Sequence, residues 1–445
     1  RLSEHVGRLA HHALRGQLWD QAARYSRQAG TRALKRSALR DALAHFEQAR
    51  VALDELPEIR EQTEQIIDLC FEQRNALYPL GEFARMSEVL NEARALAGRL
   101  DDQRRLGWVL SYQAIHHSLL GEHARAIETG DSARTIAEAV GDLGLRVVAT
   151  NYLGQALWYA GDPRRAVEPV RAVIALLEGA PLDERFGLAG LPAVIARWFL
   201  AVVLAELGEF AEALAAGEEA LRIAQGASHP YSEVLARFGL GYAHQRHGDF
   251  ATAARVLEPG VASCREMGSR LVLPVVAAFL GSAYLWSGRA ADAEPLLEEA
   301  VEVMTATRML GHRSWIMTLR AEAYLLRGRT VEAREQAEQA VALARADPQR
   351  GWEALGLKLL GDIHAHVPAE TEQARDAYQQ ALAAATELGM RPLVAHCHFG
   401  LAKLCRQANN REQAKEHFTT AIAMYREMGM QFWQEKAEAE MKGLA

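Results

Sequence analysis

Apolar residues recur every three or four positions in segments such as AVIARWFLAVVLAELG (193–208) and EVLARFGLGYAHQRHG (233–248), the spacing that gathers them on one face of a helix. Each segment ends in a glycine. A second, more polar segment of the same period follows at once, as in GEFAEALAAGEEAL from Gly208, GDFATAARVLEPGV from Gly248, GRAADAEPLLEEAV from Gly288 and GRTVEAREQAEQAV from Gly328. No stretch sustains the strict alternation of a half-buried strand. The pattern predicts an all-α chain built from helical hairpins.

In the second helix of each hairpin, two positions seven residues apart are small. The first column runs Ala42, Met86, Ala126, Ala166, Ala213, Ala253, Ala293, Ala333, Ala374 and Ala414, with steps of 40 to 47 residues and mostly 40. The second runs Ala49, Ala93, Ala133, Val173, Ala220, Gly260, Ala300, Ala340, Ala381 and Ala421. Seven residues are two helical turns, so both columns lie on one stripe, where a methyl group or less lets a neighbouring helix approach closely. The first helix adds a small residue of its own at Ala201, Gly241, Gly281, Ala321 and Ala402. Gly81, Gly121, Gly161, Gly208, Gly248, Gly288 and Gly328 fall where that helix must stop and reverse, and Asn409 takes the place in the last hairpin. A left-handed residue there ends a helix without steric cost.

This unit of helix, tight turn and helix, with its small residues, resembles the tetratricopeptide repeat over almost the whole chain. The period of 40 exceeds the family's 34. Each helix is therefore expected to be about three residues longer, or roughly 4 to 5 Å. The resemblance implies a right-handed solenoid of about ten antiparallel helix pairs. Its expected parts are a helical lead-in over 1–30, repeats over 31–180, an irregular Pro/Gly-rich loop over 181–190, repeats over 191–428 and a capping helix over 429–445. The loop either bulges from one edge or changes the curvature.

In the tetratricopeptide family the first helix of each pair lines the concave surface and supplies the ligand contacts. Carried onto this chain, those positions are Trp108, Asn151, Gln155, Trp158, Tyr159, Trp198, Phe238, Tyr242, Trp286 and Trp315, which include five of the eight tryptophans. An aromatic inner wall suits an apolar peptide, a partner helix or a small molecule. The competing reading is that longer helices need bulkier residues to fill a wider gap. Acidic-peptide clamps need clustered cations, and the central repeats offer mainly Asn151 and Arg246. Lys358, Lys403 and Arg406 cluster only near the C-terminal end.

A narrower resemblance concerns the two ends, Arg8 to Gly30 and Arg391 to Glu440. They are similar to the limits of the helical-repeat region in large bacterial signalling proteins, where a class III adenylate or guanylate cyclase domain and an AAA-like or STAND-type ATPase precede the repeats. The resemblance implies a C-terminal sensor or scaffold region with those domains attached upstream. An N-terminus that opens on RLSEHVGRLAHHALRG, without an initiator Met, fits a cut inside a longer protein. No GxxxxGK[ST] phosphate loop occurs in these residues.

Composition narrows the partners. The chain has 445 residues, 49% of them hydrophobic and 24% charged, and its net charge of −7 comes with no run of five or more Lys and Arg. That argues against nucleic acid and against a polybasic membrane contact. The most apolar stretch, Leu271 to Trp286, is shorter than the roughly 20 residues that span a bilayer, so a buried helix is expected. Four cysteines without a CxxC spacing point to a reducing, cytoplasmic setting.

Nothing in the sequence calls for a cofactor or a metal. HExxH, GxSxG and strand-borne GxGxxG motifs are lacking, so a non-enzyme is expected. His396, Cys397 and His398 form the densest cluster of metal-ligating types, but adjacent helical residues diverge by about 100° and cannot converge on one ion. The functional expectation is a scaffold that binds a protein, peptide or small-molecule signal and regulates an attached ATPase or cyclase. The alternative is a free-standing adaptor.

Overall fold

The computed structural model describes residues 6–443. Residues 1–5 and 444–445, the outer ends of the expected lead-in and cap, lie outside them. A first helix, α1 (Val6–Arg15), leads into five hairpins: α2 (Trp19–Lys35) with α3 (Leu39–Asp54), α4 (Arg60–Leu80) with α5 (Phe83–Arg99), α6 (Gln103–Leu119) with α7 (His123–Val140), α8 (Leu143–Tyr159) with α9 (Pro163–Leu176), and α10 (Pro192–Leu207) with α11 (Phe210–Gly226). Five more follow: α12 (Pro230–His247) with α13 (Phe250–Met267), α14 (Leu273–Trp286) with α15 (Ala290–Thr307), α16 (Arg313–Leu326) with α17 (Thr330–Ala346), α18 (Arg350–His364) with α19 (Thr371–Leu388), and α20 (Arg391–Gln407) with α21 (Arg411–Glu427). The helix α22 (Gln431–Lys442) caps the end. This is the expected all-α solenoid of ten helix pairs with a lead-in and a cap. Helix α2, the first of the first hairpin, begins at Trp19 inside the stretch 1–30 expected as lead-in and runs to Lys35, so only α1 leads in.

Local signals explain the boundaries. Asp102, Asp142, Asp162 and Asp249 each sit just before a helix and accept a backbone N–H from three residues on. Each such cap contributes about 1 kcal/mol. All seven turn glycines have positive φ, and Asn409 joins them at 56°. Pro169, Pro259 and Pro295 lie inside α9, α13 and α15, which continue through them. No described helix is long and apolar enough to cross a membrane.

The small columns are packing seams. Residues of both columns are buried to within a few per cent. A methyl group added at Gly241 would lie 2.5 Å from Leu257, and one added at Gly281 would lie 3.1 Å from the Ala293 carbonyl oxygen. Helix contacts this close leave no room for a larger side chain.

The solenoid also winds back onto itself. Ser269 Oγ donates to the Pro79 carbonyl at 3.3 Å, and Gln349 Nε2 donates to the Tyr159 carbonyl at 3.2 Å, each across 190 residues. At 40 residues per hairpin, 190/40 gives just under five hairpins per turn of the coil. Backbone bonds reinforce the seam: Leu271 N–H donates to Pro79 O at 3.2 Å and Gly351 N–H to Gly161 O at 3.1 Å. At Gly161 a Cβ would sit 2.5 Å from the Gly351 nitrogen, so glycine is required there for contact as well as for its φ of +75°. Further along, Gly208 meets Met428 and Pro392, and Gly248 meets Phe432 and Trp433 of the cap.

Candidate functional site

Closure of the coil turns its inner face into a core. Eight of the ten residues assigned to a concave groove are buried: Asn151, Gln155, Trp158, Tyr159, Trp198, Phe238, Tyr242 and Trp315. Trp108 and Trp286 are half-buried. The groove that the resemblance implies is therefore filled by the next turn of the same chain. Trp158 of α8 packs edge-on against Trp315 of α16 at 5.4 Å and Trp352 of α18 at 5.2 Å, and these two stack on each other at 4.8 Å. Phe238 and Tyr242 approach Trp315 at 6.5 and 5.7 Å. This cluster spans two turns of the coil.

Two cavities interrupt the packing. The first has about 60 Å³ open to the centre of a water molecule. Gln155, Trp158, Tyr159, Trp198 and Phe238 line it, together with Arg74, Tyr78, Tyr152, His312 and the loop residues Leu188 to Gly190. The irregular loop turns inward at its second half. Arg185 donates to the Leu188 and Ala189 carbonyls at 2.8 and 3.0 Å, and the Asn75 amide donates to the Gly187 carbonyl. Burial holds His312 neutral, its pKa pushed down to about 3.

The second cavity, of about 100 Å³, lies between Trp286, Trp315, Glu322, Lys358, His396 and Trp433. It is ringed by charge. Arg246 reaches it from α12 and pairs with buried Glu206 at 2.8 Å, and burial, opposed by Arg246, raises the Glu206 pKa. Lys358 donates to Asp362 at 2.6 Å; burial works against its charge, but Asp362 and Glu322 outweigh it and raise its pKa. Trp108 stands apart from both, in a surface cleft with Phe71, Arg105 and Phe186. The cations that suggested an acidic-peptide site are occupied: Lys358 by Asp362, and Arg406 by Glu440 at 2.5 Å. Lys403 lies over the Phe399 ring at 5.1 Å.

The histidine and cysteine stretch sits in α20, and its side chains go to different neighbours. His396 Nδ1 meets the Tyr425 hydroxyl at 2.7 Å and His398 Nδ1 meets His417 Nδ1 at 2.9 Å. Cys397 is buried in an apolar cluster with Leu360, Leu393 and Ala381, and its thiol pKa is pushed up to about 12 by burial.

Sequence reasoning overlooked Arg74, and a signal was there. Seven residues before each turn residue the first helices carry Ala114, Gly154, Ala201, Gly241, Gly281, Ala321 and Ala402. In α4 the same place, seven before Gly81, is Arg74. An arginine in a column otherwise reserved for alanine and glycine marks a local change of packing.

Profiles of the tetratricopeptide repeat match residues 153–230, 234–259, 275–346 and 354–427. The chain is thus a tetratricopeptide-type helical-repeat scaffold. Its fold is shared with the crystal structure of a Rap protein complexed with competence and sporulation factor, at a TM-score of 0.60 and 14% identity, over 82% of this chain and 98% of that one. Yeast Tom70 aligns over 99% of this chain and 97% of its own at 15% identity, with a TM-score of 0.35. Aspartyl phosphate phosphatase F from Bacillus subtilis aligns over 81% and 91% at 13% identity, with a TM-score of 0.42. No curated protein sequence matches the chain.

Proposed function

We propose that the chain is a non-catalytic scaffold that binds a protein, peptide or small-molecule signal through its aromatic inner wall and regulates an ATPase or nucleotide cyclase attached to it. The observation that carries this reading is the Trp158, Trp315 and Trp352 cluster, which joins two turns of the coil at centroid distances of 4.8 to 5.4 Å. The wall is buried between two turns, so a ligand would engage it by replacing part of the contact between them. Occupancy and coil shape are then coupled, because a ligand shifts an equilibrium by its differential affinity for the two shapes. An attached domain would sense the change through the ends of the coil. The test compares the purified full-length parent with a version lacking residues 1–445. An altered response of its nucleotide chemistry to effectors is expected, and an identical response would sink the proposal.

A further inference from the structure

The contacts between turns of the coil follow one rule. Each glycine turn within a hairpin, from Gly81 to Gly248, meets a connector between hairpins, or the first residues of the helix after it, one coil turn further on. A Cβ added at Gly81 would lie 3.5 Å from Arg270, at Gly121 3.5 Å from Leu310, at Gly161 2.5 Å from Gly351, at Gly208 3.3 Å from Pro392 and at Gly248 3.3 Å from Phe432. Gly81, Gly121, Gly161 and Gly208 are buried, and Gly248 is half-buried. The rule stops there. Gly288, Gly328 and Asn409, at the tight turns of α14–α15, α16–α17 and α20–α21, are exposed, and a Cβ added at either glycine meets nothing within 4 Å among the described residues. One edge of the second coil turn therefore lacks the cover that the same edge of the first coil turn has. The cap α22 packs on α21 and leaves this edge open.

The connectors show the converse. The residue that precedes the first helix of a hairpin is buried where it reaches the seam, as at Gln349, Met390 and Met430 before α18, α20 and α22. Before α2 and α4 the same position holds Leu18 and Ile59, which are 52% and 56% exposed. Six of the ten large apolar side chains exposed among the described residues flank these uncovered segments: Leu18, Ile59, Val140 and Leu143 at connectors of the first coil turn, Leu326 and Val331 at the Gly328 turn. Exposed apolar surface is thus gathered on two edges, and such gathering marks an interface. Charge also differs between covered and uncovered edges. The residue after the turn glycine is Glu82, Glu122, Asp162, Glu209 or Asp249 along the closed seam, where the facing connectors carry Arg270, Arg308, Arg350 and Arg391. Arg391 and Glu209 approach to 3.8 Å. On the uncovered turns that residue is Arg289, Arg329 or Asn410, and the uncovered connectors carry Glu58, Asp101, Asp102 and Asp142. The sign is reversed on both edges, so each uncovered edge complements the other. Neighbours on the same edge already pair with some of these groups, Arg289 with Asp292 at 2.9 Å and Asp142 with Arg104 at 2.7 Å, in exposed contacts worth under about 1 kcal/mol. Charge therefore selects the pairing, and the apolar residues supply most of its strength.

We propose that the uncovered turns of one molecule bind the uncovered connectors of a second copy of this chain, head to tail, so that the coil continues from one molecule into the next. The second copy is the fitting occupant because its first connectors occupy the same place in the repeat as those that cover the first coil turn, with the charge reversed to match. The arginine-bearing connectors of its second half are already engaged in its own seam and would repel Arg289 and Arg329. Such an interface is heterologous: every copy that joins keeps one free edge of each kind, and assembly continues past a pair. It depends neither on a ligand at the inner wall nor on an attached domain.

The experiment measures the mass of the 445-residue chain by sedimentation velocity and light scattering as its concentration rises from about 1 to about 200 µM, the range of weak protein interfaces. The weight-average mass of the wild type should rise past that of a dimer. Val331→Glu places an acid on the edge that would meet acidic connectors, and Ile59→Lys places a cation on the edge that would meet Arg289 and Arg329. Both side chains are exposed, at 68% and 56%, so neither substitution disturbs the core. Each variant alone should remain a monomer. An equimolar mixture of the two should form a one-to-one dimer and stop there, because one variant keeps the turn edge intact and the other keeps the connector edge intact. A wild type that stays monomeric throughout, a mass that levels off at a dimer, a single variant that assembles as the wild type does, or a mixture that stays monomeric would each overturn the proposal.

Discussion

Adding one methyl group at Gly351 tests whether the turns of the coil are fastened together. A Cβ there would lie 2.6 Å from the Gly161 carbonyl oxygen, and ordinary contact begins at 3.4 Å. The two backbones must therefore part by about 0.8 Å, the difference of those distances. That lengthens the Gly351 N–H to Gly161 O bond from 3.1 Å to about 3.9 Å, beyond hydrogen-bonding range. Loss of the bond costs about 0.5 to 1.5 kcal/mol. Overpacking adds about 1 to 3 kcal/mol. Against this, alanine is better than glycine in a helix by about 0.5 to 1 kcal/mol, which leaves a net destabilisation of about 0.5 to 4 kcal/mol. The control is Gly98→Ala in α5, where an added Cβ meets nothing within 4 Å and only the helix preference remains. Hydrogen exchange measured by mass spectrometry should show peptides around residues 159–161 and 349–351 losing protection in Gly351→Ala and not in Gly98→Ala. Unchanged protection at the seam, together with a melting temperature no lower than wild type, would refute the reasoning.

Three further outcomes are expected. Ala293→Leu should cost about 1 to 3 kcal/mol by forcing α14 and α15 apart, whereas Glu299→Gln, on an exposed pair with Arg265, should cost under about 1 kcal/mol; equal melting temperatures would contradict the seam. Arg246→Met should destabilise by about 3 kcal/mol in urea titrations because it strands buried Glu206, and adding Glu206→Met should recover most of the loss; additive losses would argue against the pairing. Burial pushes the pKa of His116, His123 and His229 down to about 4 and that of His312 to about 3. The unfolded chain, with histidines near 6.5, then binds more protons below that pH, so stability is fully present above about 6.5 and falls as the pH drops towards 4, by up to about 3 kcal/mol per histidine. Urea midpoints that match at about pH 7 and about pH 5 would contradict this.

The repeat architecture was legible because its determinants are local. A column such as Ala213, Ala253 and Ala293 can be read directly, since a close helix crossing tolerates little else, and Gly208 or Gly248 marks the reversal by its backbone freedom. The turn between α18 and α19 lacks such a glycine and is made instead by a short 3-10 segment, Pro368–Glu370, which explains the gap in the glycine column between 328 and 409. Closure of the coil was not legible. Its polar contacts use the carbonyls of Pro79, Tyr159 and Gly161, groups that every residue type carries, and its aromatic contacts join Trp158 to Trp315 and Trp352, residues too far apart in the chain for any local pattern to pair them. The same aromatic residues therefore read as an open groove through the tetratricopeptide resemblance and as an inter-turn core in three dimensions. Arg74 lies between these cases: its column could be read, but its three tyrosine neighbours come from α4, α6 and α8 and meet only after folding.

The fastening of the turns changes how the molecule should respond to force and how it should fold. A solenoid with contacts only between neighbours behaves as a spring, stretching smoothly and shedding repeats from either end. Here the contacts made across 190 residues hold one coil to the next. Closing a loop of 190 residues costs only about 1.4 kcal/mol more than closing one of 40, so the contacts are inexpensive once the hairpins have set the curvature. Pulled from its ends, the chain should keep its length until the seam parts and then extend in one step, exposing Trp158, Trp315 and Trp352 together. During synthesis the last five hairpins would complete the shape of the first five, and the coil would become resistant to extension only when the final turn has been laid down.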